Sequence, residues 1–373
     1  MGSSGTAQLS QMLNWLLIFV PVAIGLEFLK PDAHNLIFLS ACLAIVPLAG
    51  WLGHATEELA RHTGEGIGGL LNATFGNAAE LIIAIAAIQK GLYPVVKASL
   101  TGSIIGNILL VLGVSVLAGG IKHKEQRFNT TAARAQATLL TLAAIAMIMP
   151  AAFHYLAGPA GRPRENDLSL EISIVLLLAY GFHLLFSLRT HKELFAGEEP
   201  DPADAPEKAW SLKNSLLMLV GATGLIAWMS EILVGSVQEA AASFGMSRIF
   251  VGVIVVAVVG NAAEHSTAVM MALRNRMELS MGIAIGSSLQ IALFVAPILV
   301  ILSHFLGPRP MDLVFTPAEV LAVFLAVLIT GQIAADGESN WLEGVQLLAV
   351  YLILAGVFYA LPETSVAAPN KTG

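Results

Sequence analysis

The sequence predicts an all-α polytopic membrane protein of about 11 transmembrane helices, with helix 1 followed by two inverted five-helix repeats, helices 2–6 and 7–11. Composition comes first. Of 373 residues, 56% are hydrophobic and only 12% charged, and the mean hydropathy is +0.76, too few charges to clothe a soluble surface. Apolar stretches of roughly 20 residues then recur from end to end, each long enough to cross a bilayer core. The alternating pattern of a membrane barrel is absent. Finally, Gly76-Asn77-Ala78-Ala79-Glu80 returns as Gly260-Asn261-Ala262-Ala263-Glu264, and the same register aligns Gly102-Ser103 with Gly286-Ser287.

Segment 1 is expected over Met12–Leu29. Segment 2 covers Asn35–Leu52 and continues as helix through Glu57 and Glu58 to Arg61. Segment 3, Gly66–Gln89, holds the first motif, and segment 4 spans Val95–Gly119 before a basic loop with Lys122, Lys124 and Arg127. Segments 5 and 6 are Ala132–Leu156 and Leu168–Leu188. An acidic, proline-spaced linker follows, with Glu193, Glu198, Glu199, Asp201, Asp204 and Glu207. It reads as a solvated loop, since its spacing makes no EF-hand. Neutralising Glu198, Glu199, Asp201 and Asp204 together is expected to leave the protein's activity intact. Segments 7 to 11 are Leu212–Val237, Ile249–Leu273, Leu279–Leu306, Pro317–Ala335 and Trp341–Leu361. The chain thus divides into 1–33, a first repeat 34–191, the linker 192–209, a second repeat 210–362 and a tail 363–373.

Glu80 lies on segment 3 and Glu264 on segment 8, five crossings later, so the two motifs run oppositely through the membrane. Inverted repeats with a mid-membrane site on interrupted helices are the mark of secondary transporters. With the N-terminus inside, 11 of the 19 Lys and Arg residues fall in inside loops, which favours a cytoplasmic N-terminus and linker. Cys42 is the only cysteine, so it packs rather than bridges.

A carboxylate near mid-membrane costs roughly 2.5–3.5 kcal/mol on insertion scales and marks a functional site by default. On a continuous helix Ala73, Gly76, Asn77 and Glu80 line one stripe, matched by Ala257, Gly260, Asn261 and Glu264. Segment 4 adds Ser99, Ser103 and Asn107, and segment 9 adds Ser287 and Gln290. Gly102/Gly106 and Gly282/Gly286 are small-xxx-small pairs suited to close helix contact. All these donors are hard oxygens, fitting Ca2+ with its 6–8 oxygen ligands rather than zinc or copper. Without the metal, two facing carboxylates in low dielectric cannot both stay ionised and take up protons. Metal and proton then compete for the same atoms.

GNAAEL and GNAAEH, each followed by a Gly-Ser helix, resemble the calcium/proton exchangers of the cation/calcium exchanger superfamily. The likeness covers both repeats, the extra first segment and the acidic linker. It implies an antiporter, not an enzyme, in which Glu80 and Glu264 alternately bind Ca2+ and protons. Gly76, Gly260, Asn77 and Asn261 would complete the metal site, with Ser103, Asn107, Ser287 and Gln290 in support. His265 matches the family's motif. Glu57 and Glu231, at matching places on segments 2 and 7, would guide cations or protons inward. Ca2+ is then the transported substrate, with no cofactor and no nucleic-acid partner. The expected setting is multi-pass in the bilayer, the inner membrane in a bacterial or archaeal cell.

Structural alternatives stand beside each residue. Protonated Glu80 and Glu264 could bond between helices, and the Asn and Ser side chains could be interhelical glue. His265 could be a packed neutral imidazole, and Glu57 and Glu231 ordinary interfacial carboxylates. Thr316-Pro317-Ala318-Glu319 reads as a capping box opening segment 10, and His154 and His183, whose partners the sequence does not make obvious, read as packing or helix-end residues. Among functions, the same machine could carry Na+ or Mn2+. An intramembrane enzyme lacks HExxH or GxGD support, and a passive channel would need no proton linkage.

Overall fold

The computed structural model describes residues 14–63, 65–194 and 210–361. Segment 1 begins as a tight turn at Trp15 and runs to Leu29 (α1), so its expected start at Met12 lies outside the described residues. So do the C-terminal tail and the linker acids from Glu198 to Glu207. Next come α2 (His34–Thr63), α3 (Glu65–Phe75), α4 (Ala78–Gln89) and α5 (Tyr93–His123). They are followed by α6 (Thr130–Gly161), α7 (Glu165–Leu185), α8 (Leu212–Ser243), α9 (Arg248–Gly260) and α10 (Ala262–Leu273). The series ends with α11 (Met277–Leu306), α12 (Pro317–Ile333) and α13 (Trp341–Ala360).

Among the described residues six stretches are long and apolar enough to cross a membrane, or seven if the bent pair α9 and α10 is one crossing. The protein is therefore a multi-pass membrane protein. The helices start where their sequences direct. Asn129 accepts from the N–H groups of Thr131 and Ala132, and Thr316 with Glu319 forms the expected capping box on α12. Asn340 and Glu343 form a second on α13. The Thr130–Thr190 stretch is broken at Gly158, whose φ of +56° suits glycine, just before Pro159.

One expectation is corrected and another filled in. The fold is not wholly α: residues of the basic loop form a strand, β1 (Glu125–Arg127), paired antiparallel with β2 (Glu338–Asn340). The ribbon joins the two halves, helped by an Arg127–Glu338 ion pair at 3.1 Å. His154 gains the partner that its sequence did not make obvious, since its Nδ1 lies 2.8 Å from Glu165 across the break at Gly158.

The long pair α2 and α8 packs side by side, and α5 crosses α9 at close range. A methyl placed on Gly102 would sit 2.0 Å from the Val253 carbonyl oxygen, and one on Gly252 would sit 2.6 Å from Ala98 Cβ. Gly102 thus fulfils the expected close backbone approach. Gly106, Gly282 and Gly286 do not, for nothing lies within 4 Å of a methyl on any of them. Gly282 and Gly286 instead face the cavity described next.

Candidate functional site

Neither motif sits on a continuous helix. α3 ends at Phe75, Gly76 and Asn77 form a turn, and α4 begins at Ala78. Likewise α9 ends at Gly260, Asn261 leaves helical geometry at φ −93° and ψ 7°, and α10 starts at Ala262. The bend between α9 and α10 is 64°. The single stripe expected from i, i+3 and i+4 spacing is therefore broken in both copies. Glycine followed by asparagine, a residue that competes for backbone hydrogen bonds, gives the break its local cause.

The break places Glu80 and Glu264 in the first turn of a half-helix. There the positive end of the helix dipole favours a negative charge. The two copies also meet: a methyl on Gly260 would lie 3.2 Å from both Cγ and Oε1 of Glu80. Each glutamate keeps one buried carboxyl oxygen, Oε2, without a hydrogen-bond partner. Such an oxygen is costly in a dry interior and calls for a cation or a proton.

Around the carboxyls runs a chain of amides and hydroxyls that crosses repeatedly between the halves. Asn77 donates to Gln290 Oε1, and Ser287 donates to Asn77 Oδ1 at 3.1 Å. Asn107 donates to Ser287 Oγ at 2.9 Å and to Asn261 Oδ1 at 3.3 Å. Asn261 donates to Ser103 Oγ at 2.9 Å and to the Ala257 carbonyl at 2.9 Å. All six side chains were legible as candidates, and the fold brings them together. Ser99 instead bonds its own helix at the Val96 carbonyl. Just beyond Ser103 and Ser287, α5 and α11 each widen into a π-helical turn, over Gly106–Val111 and Ile291–Val295. In the first half the wide turn holds Asn107 within the chain of bonds.

A cavity of about 1370 Å³ reaches Glu264, Ser287 and Gln290 and opens on the face that carries Asn129, Lys192 and Trp210. Its wall includes Gly76, Gly260 and Glu57. Glu57 is exposed at the mouth, 4.0 Å from His54. His265, half-buried one residue past Glu264, is not among the lining residues. Glu231 lies exposed on α8, away from this cavity. No group of three or more His, Cys, Asp or Glu side chains suited to a metal is found among the described residues. Any cation here must complete its shell with amide, hydroxyl, carbonyl or water oxygens.

One functional-looking residue escaped the sequence reading. Glu58, 1% exposed, accepts from Arg61 at 2.5 Å and from the Trp210 backbone N–H at 2.8 Å. It fastens the start of α8 to the end of α2 beside the cavity mouth. Adjacent glutamates gave no signal as to which one turns inward.

Comparison with known proteins gives the family. The family model described as sodium/calcium exchanger protein matches residues 34–189 and 214–360. A Ca(2+)/H(+) antiporter of Aphanothece halophytica is 46% identical over 93% of this chain and 96% of its own. The Ca(2+)/H(+) antiporter ChaA of Bacillus subtilis is 46% identical over 92% of this chain and 98% of its own. The solved structure of native YfkE superposes with a TM-score of 0.80 at 42% identity, covering 94% of this chain and all of that one. With a broken helix and a half-buried glutamate in each half, and a family match that spans both, the chain belongs to the sodium/calcium exchanger protein family.

Proposed function

We propose that the protein is a secondary antiporter that exchanges Ca2+ for H+ by alternating access, with Glu80 and Glu264 as the shared binding groups. The observation that carries this reading is the pair of half-helix N-termini, each presenting a glutamate with one unpartnered buried oxygen. Two carboxylates offset the charge of one Ca2+, and Asn77, Asn261, Ser103, Ser287, Gln290 and the backbone around Gly76 and Gly260 offer the remaining hard oxygens. When Ca2+ leaves, protons neutralise the same carboxylates, because bare charge in this site is expensive. Asn107 holds Ser287 and Asn261 in place. His265 takes a supporting role beside Glu264, and Glu57 and Glu231 attract cations at opposite mouths. The names of relatives from Aphanothece halophytica and Bacillus subtilis support the Ca2+/H+ pairing.

The proposed topology counts α3 with α4, and α9 with α10, as single crossings. That gives eleven crossings in two inverted halves, with the N-terminus and linker cytoplasmic and the protein in the inner membrane of a bacterial or archaeal cell. Proteoliposomes loaded with a pH-sensitive dye test the function. Added Ca2+ should drive proton release in the wild type and be inert with Glu80→Gln or Glu264→Gln. Ca2+ uptake indifferent to an imposed pH gradient would turn the reading toward a channel, and a Na+ gradient that replaces the pH gradient would turn it toward sodium exchange.

A further inference from the structure

The duplicated register extends past the motifs and exposes an asymmetry between the two membrane faces. Met270 and Met271 line the open cavity, whereas their counterparts Ala86 and Ala87 are 6% and 1% exposed. The turns that follow match as well: Lys90 precedes Gly91 at φ +70°, and Arg274 precedes Asn275 at φ +61°. Each half therefore ends its second half-helix with a basic residue and a left-handed turn. On the far face, away from the linker, Lys90 does something specific. Its ammonium crosses to α8 and donates to the main-chain carbonyl of Glu231 at 3.0 Å. Gly235, one turn on, supplies the notch, since a methyl there would sit 3.1 Å from Lys90 Nζ.

We infer that Lys90 is a positioning residue that holds the far face shut while the linker-side cavity is open, by gripping the backbone of α8 at the Gly235 notch. This rests on the alternating-access reading above. A bond to the main chain registers where the helix stands along its axis, whatever its side chains do. Opening the far face requires α8 to move against α4, as rocking of one unit against another does in inverted-repeat transporters. A slide of one residue, roughly 1.5 Å, carries the Glu231 carbonyl out of reach. Releasing Lys90 therefore belongs to the step that opens the far face, and losing it shifts the population toward that state.

The test reads the two faces separately in lipid nanodiscs without Ca2+, with Cys42→Ala as background. Ala86→Cys reports the far face and Met270→Cys the linker face, each through its rate of reaction with a bulky maleimide. Lys90→Met should raise far-face labelling roughly threefold, the scale of one partly exposed hydrogen bond, without raising linker-face labelling. Gly235→Val, which displaces the ammonium but keeps its charge, should do the same, and Lys90→Arg should restore the wild-type rate. Far-face labelling that is unchanged or slower in Lys90→Met overturns the inference. So does a rise at both reporters, which is general loosening, or a Gly235→Val chain that labels like the wild type. Proteoliposome exchange by the unmutated chain is scored independently: reciprocal labelling in a protein that moves no Ca2+ would remove the exchange reading and leave the latch.

Discussion

Glu80 and Glu264 differ from ordinary buried acids in what surrounds them. Each is set at the positive end of a half-helix and each retains an unsatisfied oxygen. Replacing either by Gln keeps size and hydrogen bonding but leaves one carboxylate to balance a divalent charge. Removing one member of a buried charge set costs about 3–5 kcal/mol, so Ca2+ affinity should fall by at least about a hundredfold in each mutant. Isothermal titration on purified protein checks this, and because in the proposed site the halves supply opposite walls, the two losses should be alike. Gly260→Ala makes a subtler demand. Its methyl would press on the Glu80 carboxyl at 3.2 Å, close enough to shift that group by a few tenths of an ångström. Affinity should drop by about tenfold, small misplacements in a polar site being costly, while thermal stability in detergent stays near the wild type. At this scale the sequence was eloquent. Both glutamates, both asparagines and both serines could be picked out as polar residues repeated in an apolar chain, and Gln290 as a further polar residue on segment 9. Glu58 could not, because two glutamates in succession carry no mark of which one the helix turns inward.

Among elements, the crossing of α5 and α9 is the tightest place near the site. Gly102 admits the Val253 carbonyl to within 2.0 Å of where a side chain would begin. Gly102→Val must push the two helices apart or misfold, and overpacking of this kind costs typically 1–3 kcal/mol, occasionally more. The melting temperature should fall clearly, and Ca2+ binding should weaken with it, because Ser103 and Asn261 lie on the same two segments and are bonded to each other. Helix positions themselves were readable from hydropathy alone, and α2 did continue past Leu52 through Glu57 and Glu58 to Thr63. The breaks at Asn77 and Asn261 were harder to see. Spacing at i, i+3 and i+4 describes a stripe only while the helix runs on, and a glycine in an apolar run can be a packing notch as easily as a break. Gly76 and Gly260 break; Gly102 packs; Gly282 and Gly286 do neither and leave room in the cavity.

For the whole molecule, selectivity follows from the softness of the cage. In the proposed site two carboxylates with amide, hydroxyl and carbonyl oxygens would form a flexible, mixed shell that suits Ca2+. Mg2+ asks for near-ideal octahedral geometry and parts with water reluctantly. Proteoliposomes should accumulate Ca2+ well and Mg2+ at least about tenfold more slowly; equal rates would show that ligand flexibility is not what selects. Membrane class and duplication could be read from the chain, because both are written in composition and register. The ribbon of β1 with β2, the Lys90 contact with α8 and the His154–Glu165 pair could not, since each joins short polar pieces whose partners have no periodicity to announce them.

That ribbon bears on how the protein is made. β1 is synthesised with the first half, yet its partner Glu338–Asn340 comes from a loop just before the final helix. Since chains emerge N-terminal half first, the Glu125–Arg127 edge stands uncovered through the manufacture of nearly the whole second half. An unpaired strand edge is a ready docking place for other chains. Closure by Ser339 opposite Gln126 and by Arg127 on Glu338 thus coincides with the completion of both halves. A chain cut short before Glu338 keeps that edge open on the linker face, where chaperones and proteases can recognise an unfinished molecule.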